Sequence, residues 1–216
     1  MNKYLKESIF LLFIVLPFAY LATIWKDLQL QIPTHFDLSS NPNGWSDKNG
    51  LLALLAELNL GIYIIMLLIP KFDPKNKIKQ MGEKYFSFRL LMTIFISLLS
   101  IYILYTGASK KINTNLMFAL IGALFAVMGN YFQALKPNYF IGIRTPWTLE
   151  SPDIWKKTHR LAGRLWMVGG VLIIIISFII KNNLALGITF GSITAVITLI
   201  PLIYSFTEFQ KTHLKS

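Results

Sequence analysis

The chain has 216 residues and a net charge of +11, yet charged residues make up only 14% of it and apolar ones 54%. An average soluble domain carries about 25% charged residues, so too few polar side chains exist to cover a water-facing surface, and lipid has to cover it. Cysteine is absent, which excludes disulfides and thiolate chemistry and leaves histidine and carboxylates as the metal-ligand stock.

Six apolar runs follow in order, at about 8–25, 51–69, 88–106, 116–135, 165–180 and 184–206. Roughly 20 residues of helix cross a hydrocarbon core about 30 Å thick, so each run predicts a spanning helix. Pro17 in the first is a tolerable kink. Lys3 and Lys6 ahead of it would also suit a signal peptide, but the residues from Ala19 to Thr23 make a poor cleavage site, so a retained span is expected. Pro70 closes the second run and Gly107 the third. The fourth has to stop before Pro137, because the residue ahead of a proline disfavours helical geometry. Lys181, Asn182 and Asn183 join the last two as an antiparallel hairpin. The expected fold is an all-α integral membrane protein, one domain over 1–216, with an outer loop at 26–50 and cytoplasmic loops at 70–87 and 136–164.

Orientation follows from counting Lys and Arg by loop. Sixteen of the 21 fall in the N-terminus, the 70–87 loop with Arg89, the 136–164 loop and the tail; five fall on the other side. Both termini are therefore expected inside the cell. The positive charge then reports topology, and no direct nucleic-acid partner is expected.

The outer loop gathers Pro33, His35, Phe36 and Asp37, then Gly44 and Trp45 amid turn-forming Asn and Pro. One reading makes His35 and Asp37 polar groups facing a ligand that arrives from outside; the other is a turn capped by Asp and Asn side chains. Two ligand types in one loop do not make a metal site, and no HExxH pattern occurs, so neither metal nor cofactor is expected. In the second span Glu57 is the ionisable residue that defaults to a functional hypothesis, with protonation or helix pairing as the plain alternative. Gly187 and Gly191 form a GxxxG in the last span, a weak packing signal.

The 136–164 stretch is polar, aromatic-rich and irregular. Gly142, Arg144, Thr145, Pro146 and Trp147 suggest a rigid turn with one fixed cation. Ser151-Pro152-Asp153 reads as a helix start, with cap, first-turn proline and first-turn acid in place. Beyond it Lys156, Lys157, Arg160 and Arg164 fall on one side at helical spacing, and Ile154, Thr158, Leu161 and Leu165 on another. Such a basic amphipathic helix suits an anionic inner leaflet. Trp147, Trp155, Arg144 and Arg160 equally suit a docking surface for a cytosolic protein.

The combination NYFIGIRTPWTL with a following W-x-x-T-H-R resembles the signature of the SdpI family of bacterial immunity proteins. The outer IPTHFDLSSNPNGWSDK resembles the small DUF1648-type motif near the N-terminus of the same family. The resemblance implies a non-catalytic, multi-pass immunity protein of the bacterial plasma membrane that protects against a secreted membrane-active toxin. It also implies signalling, in which the protein holds an ArsR-like, winged-helix autorepressor at the membrane. Carried over by position, Asn138, Gly142, Arg144, Thr145, Pro146, Trp147, Thr148, Trp155, Thr158, His159 and Arg160 form the inner, partner-binding set. Pro33, His35, Phe36, Gly44 and Trp45 match the outer motif and, with Asp37 and Glu57 from the reading of the residues above, form the outer, toxin- or ligand-facing set. An oligomer is compatible with all of this. A transporter of peptides or small amphiphiles is the alternative, and a membrane enzyme using His35, Asp37 or Glu57 a more distant one.

Overall fold

The computed structural model describes residues 2–37, 41–109 and 113–213, without the side chains of Lys3, Phe36 and His213. Lys110, Lys111 and Lys215 of the charge count, and the side chain of Phe36 in the outer set, lie outside what is described. The chain divides into two compact units, one of 1–68 with 86–117 and one of 69–85 with 118–216. Six helices are long and apolar enough to cross a membrane: Tyr4–Ile24, Lys48–Phe72, Glu83–Ser109, Thr114–Phe132, Pro152–Ile179 and Asn183–Thr212.

In the first unit α1 (Lys3–Ile24) is followed by β1 (Ile32–Phe36) and β2 (Pro42–Ser46), then α2 (Lys48–Phe72) and α3 (Glu83–Ser109). The outer loop is therefore not a set of turns in an otherwise all-helical chain. It is an antiparallel hairpin, with Ile32 opposite Ser46, Pro33 opposite Trp45, and irregular register on either side of His35. Asp37 closes the turn: its carboxylate accepts the Asn41 N–H at 2.8 Å, and the Asn41 carbonyl accepts the Asp37 N–H at 2.9 Å. A β-carbon at Gly44 would stand 2.9 Å from that of His35, so glycine lets the strands approach there. Ile32 is fully buried with Leu21, Leu28, Leu51, Leu55 and Leu104, which pins the hairpin to the helices. Asp47 caps α2 by accepting the Gly50 N–H at 2.7 Å, starting that helix three residues before its apolar run.

Within α2 the residues Glu57–Gly61 form a π-helical turn. Asn59 sits in it, buried, and its amide donates to the Leu55 carbonyl at 3.0 Å and to the Ser100 hydroxyl at 2.8 Å. Helix α3 begins five residues ahead of the predicted span and takes Arg89 out of the loop. Arg89 is buried, 3.5 Å from the Glu7 carboxylate, which accepts the Tyr63 hydroxyl at 2.6 Å. The rings of Phe10 and Tyr63 lie 4.5 and 5.4 Å from the guanidinium. Pairing and aromatic faces offset the desolvation that an isolated charge would suffer there.

The second unit holds α4 (Thr114–Phe132, from Phe118), α5 (Pro146–Glu150), α6 (Pro152–Ile179) and α7 (Asn183–His213). The amphipathic segment and the fifth apolar run are one unbroken 28-residue helix, α6, rather than two elements. Helices α4 and α6 meet through glycines spaced seven apart on each. A β-carbon at Gly163 would stand 2.7 Å from the Gly129 carbonyl oxygen, and one at Gly122 2.8 Å from that of Gly170. Apolar helices gain nothing from burying apolar faces against each other in lipid, so close backbone approach at small residues is what holds such a crossing. Gly191 of the predicted Gly187/Gly191 pair does not play this role, since nothing lies within 4 Å of an added β-carbon there. Leucine at Gly129 is expected to cost about 1–3 kcal/mol or more by overpacking, lowering the melting temperature in detergent, whereas Gly191→Leu leaves it unchanged.

Candidate functional site

Pro137 ends α4 early. The helix stops at Phe132, three residues short of the predicted limit, and the chain turns through Gln133 and Ala134. Asn138 then organises the loop from inside. Its side-chain oxygen accepts the N–H groups of Phe140 and Ile141 at 2.8 and 2.7 Å, and its amide donates to the carbonyls of Lys136 and Ile141 at 2.8 and 3.0 Å. A buried amide with every donor and acceptor engaged fixes one loop conformation, because any other leaves polar groups unpaired.

Gly142 turns the chain at φ +111, a conformation that side chains with a β-carbon rarely adopt. The turn delivers the Ile143 N–H to Nε2 of His159 at 3.0 Å. The other ring nitrogen, Nδ1, faces the Trp155 carbonyl at 2.8 Å. Nε2 must therefore carry the lone pair and Nδ1 the proton, and the imidazole is neutral in this arrangement. Trp155 stacks on that ring at 4.0 Å, Phe132 meets its edge at 5.9 Å, and the Trp155 indole N–H donates to the Leu135 carbonyl at 2.8 Å. The base of α6 and the signature loop are thus closed on each other through His159 and Trp155.

Thr145 and Thr148 form a reciprocal capping box on α5, with Pro146 at its first turn. The Thr148 hydroxyl also lies 2.9 Å from the Ile143 carbonyl. Ser151 caps α6, as its sequence suggests, by accepting the Ile154 N–H. The Trp147 indole donates to the Ser205 hydroxyl at 2.5 Å and its ring meets Phe206 at 5.2 Å, which ties the loop to α7.

The inner set therefore splits in two. Asn138, Thr145, Thr148, Trp155, Thr158 and His159 are buried, Trp155 and His159 being 1% exposed, and they frame the loop from within. Arg144, Pro146 and Arg160 are exposed, with Trp147 and Gly142 half-buried. Arg144 is held in place by donating to the Tyr139 carbonyl at 2.5 Å, and Lys75 lies 5.1 Å over the Tyr139 ring. Beside them Lys75, Lys77, Gln80, Lys136, Tyr139 and Glu150 line a pocket of about 360 Å³. The 73–78 turn that carries Lys75 and Lys77 is folded by buried Asp73, which accepts the Ile78 N–H at 2.7 Å. Tyr139, Ser205 and this turn are not singled out by sequence patterns, since each joins the site only through the fold.

The outer set is less connected. His35 and Trp45 are exposed on the hairpin, Trp45 at 54%. The Asp37 carboxylate accepts from the Asn41 backbone and side-chain amides, and the His35 ring lies 3.2 Å from the Thr34 hydroxyl. Glu57 is exposed at the start of the π-helical turn and makes no polar contact with His35 or Asp37. Among the described residues no three His, Asp or Glu side chains cluster in a way that could hold a metal ion.

Six apolar helices with large side chains such as Leu11, Ile65, Val168, Ile179 and Ile203 exposed on them define a multi-pass membrane protein. Residues 134–205 match the SdpI/YfhL protein family and residues 12–56 a domain of unknown function, DUF1648. Over 88 residues the chain is 33% identical to the immunity protein SdpI of Bacillus subtilis (strain 168), covering 40% of this chain and 42% of that protein. No solved structure matches. The segment similar to the SdpI/YfhL family contains the loop frame and NYFIGIRTPWTL, and the chain matches less than half the length of the curated relative.

Proposed function

We propose that the protein is a membrane immunity protein of the bacterial plasma membrane, which protects its cell from a secreted membrane-active toxin. The observation that carries this reading is the 33% identity to a protein named for immunity. The frame built on Asn138, Gly142, Trp155 and His159 lies within the segment 134–205 that matches the family. In this reading the protein acts without catalysis, and His35, Asp37 and Glu57 carry no acid–base role. With both termini inside, by the charge count, the frame faces the cytoplasm and the hairpin faces the incoming toxin.

Inside, Arg144, Tyr139 and the lysine-lined pocket form a fixed basic platform whose partner is an acidic segment of a cytosolic protein, a winged-helix autorepressor in the signalling version. Replacing Arg144 by alanine is expected to leave the protein in the membrane and reduce capture of that repressor by about tenfold or more, the scale of an interfacial arginine anchor. Unchanged capture would remove the platform from the reading. The whole-protein test is survival: a sensitive strain making the protein outgrows one that does not when the toxin is present. Transport is the second reading, and the group of buried Arg89 with half-buried Glu7 and Tyr63 is the observation in its favour. Toxin accumulating in the medium of protected cells, lost in Arg89→Gln, would select it.

A further inference from the structure

Lys156, Arg160 and Arg164 are exposed and stand four residues apart on α6, which puts them in one row with about 6 Å of rise between neighbours. Among the described residues none of the three makes an ion pair or hydrogen bond. The adjacent Lys157 differs: Asp153 and Glu208 hold it at 3.1 and 3.0 Å. The three free cations line a groove of about 380 Å³ together with Leu161, Tyr204 of α7 and the Asp153–Lys157 pair, whose carboxylate is neutralised by that lysine. Beyond Arg164 the same row continues as exposed aliphatic side chains, Val168 at 55%, Leu172 at 46% and Ile175 at 48%.

We propose that this groove is a headgroup site for an anionic phospholipid, its phosphate held by Lys156, Arg160 and Arg164 and its acyl chain lying along Val168, Leu172 and Ile175. Guanidinium forks bind phosphate oxygens in pairs, and a lysine adds a point charge beside them. A free phosphate would use the cations and leave the aliphatic row without a role; an acidic peptide would likewise have no use for it. One continuous row, cationic and then apolar, fits a ligand with both parts. This deepens the membrane reading above and reassigns Arg160 from the protein-docking surface to the lipid.

The full chain, purified in neutral detergent, is titrated with short-chain phosphatidylglycerol, short-chain phosphatidylcholine and inorganic phosphate, with binding read by native mass spectrometry and by thermal shift. Wild type is expected to retain phosphatidylglycerol and to melt higher with it, and to ignore the other two at equal concentration. Losing the cations weakens binding roughly five-fold each, so K156Q/R160Q/R164Q loses about a hundredfold and Arg160→Gln alone is intermediate. A triple variant at Lys71, Lys79 and Lys84, equal in charge but away from the groove, keeps wild-type binding. The proposal is overturned if inorganic phosphate binds as well as the lipid, if the groove variant binds like wild type, or if the control variant loses as much. The variants' melting temperatures without lipid show that they are folded. Survival under toxin is a separate readout, so failure of protection with lipid binding intact would sink the immunity reading alone.

Discussion

Alanine at Trp155 is expected to cost the most stability of any single substitution in the signature segment. The indole is 1% exposed, the largest fully buried side chain, and it does three things at once. It fills the space between α6 and the loop, supports the His159 ring at 4.0 Å and satisfies the Leu135 carbonyl at 2.8 Å. Truncating a buried tryptophan costs about 3–5 kcal/mol, and the orphaned carbonyl adds about 1–3 kcal/mol. Phenylalanine refills most of the volume but cannot donate, so Trp155→Phe should lose only the smaller part. Melting of the purified protein in detergent checks the order wild type, Trp155→Phe, Trp155→Ala. Equal melting of the two variants would mean that volume is not what the indole contributes.

Gly142→Ala comes second, for a different reason. At φ +111 a β-carbon is strained in any surroundings, at about 1–3 kcal/mol. Here it also meets Nε2 of His159 and stands 3.2 Å from the Trp155 ring, and overpacking adds about 1–3 kcal/mol more. The loop can relieve this only by withdrawing the Ile143 N–H from the imidazole. The expected result is a melting loss, together with a loosened loop that exchanges the Ile143 amide with solvent. Gly61→Ala, where an added β-carbon meets nothing within 4 Å, is the matched control and should melt as wild type. If Gly142→Ala melts with that control, the frame does not depend on the turn.

Legibility in the sequence follows the range of the interaction. Ser151-Pro152-Asp153 marks a helix start, and Pro137 a stop, because caps and proline act on their nearest neighbours. The six spans are legible because lipid demands an unbroken apolar length. The hairpin is not, since two five-residue strands containing Pro33 and Pro42 look like turns until Ile32 is seen buried among helices. Residue type also misleads where depth decides. Trp155 and His159 have the chemistry of surface anchors, yet a helix that buries Ile154 and Thr158 on one face carries its neighbours inward with them. The seven-residue spacing of Gly122 with Gly129 and of Gly163 with Gly170 is present in the sequence, but only the packed structure shows those glycines meeting, while Gly191 meets nothing. The pairing of Arg89 with Glu7 spans 82 residues, and no local pattern encodes it.

The frame and the protection it is held to serve meet in one measurement, survival of a toxin-sensitive strain against toxin dose, at matched membrane amounts of wild type, Trp155→Ala and Gly61→Ala. Wild type and Gly61→Ala are expected to shift the killing curve to higher dose together, and Trp155→Ala to fall back toward the strain without the protein. Full protection by Trp155→Ala, or none by wild type against the secreted toxins of related producers, would contradict it.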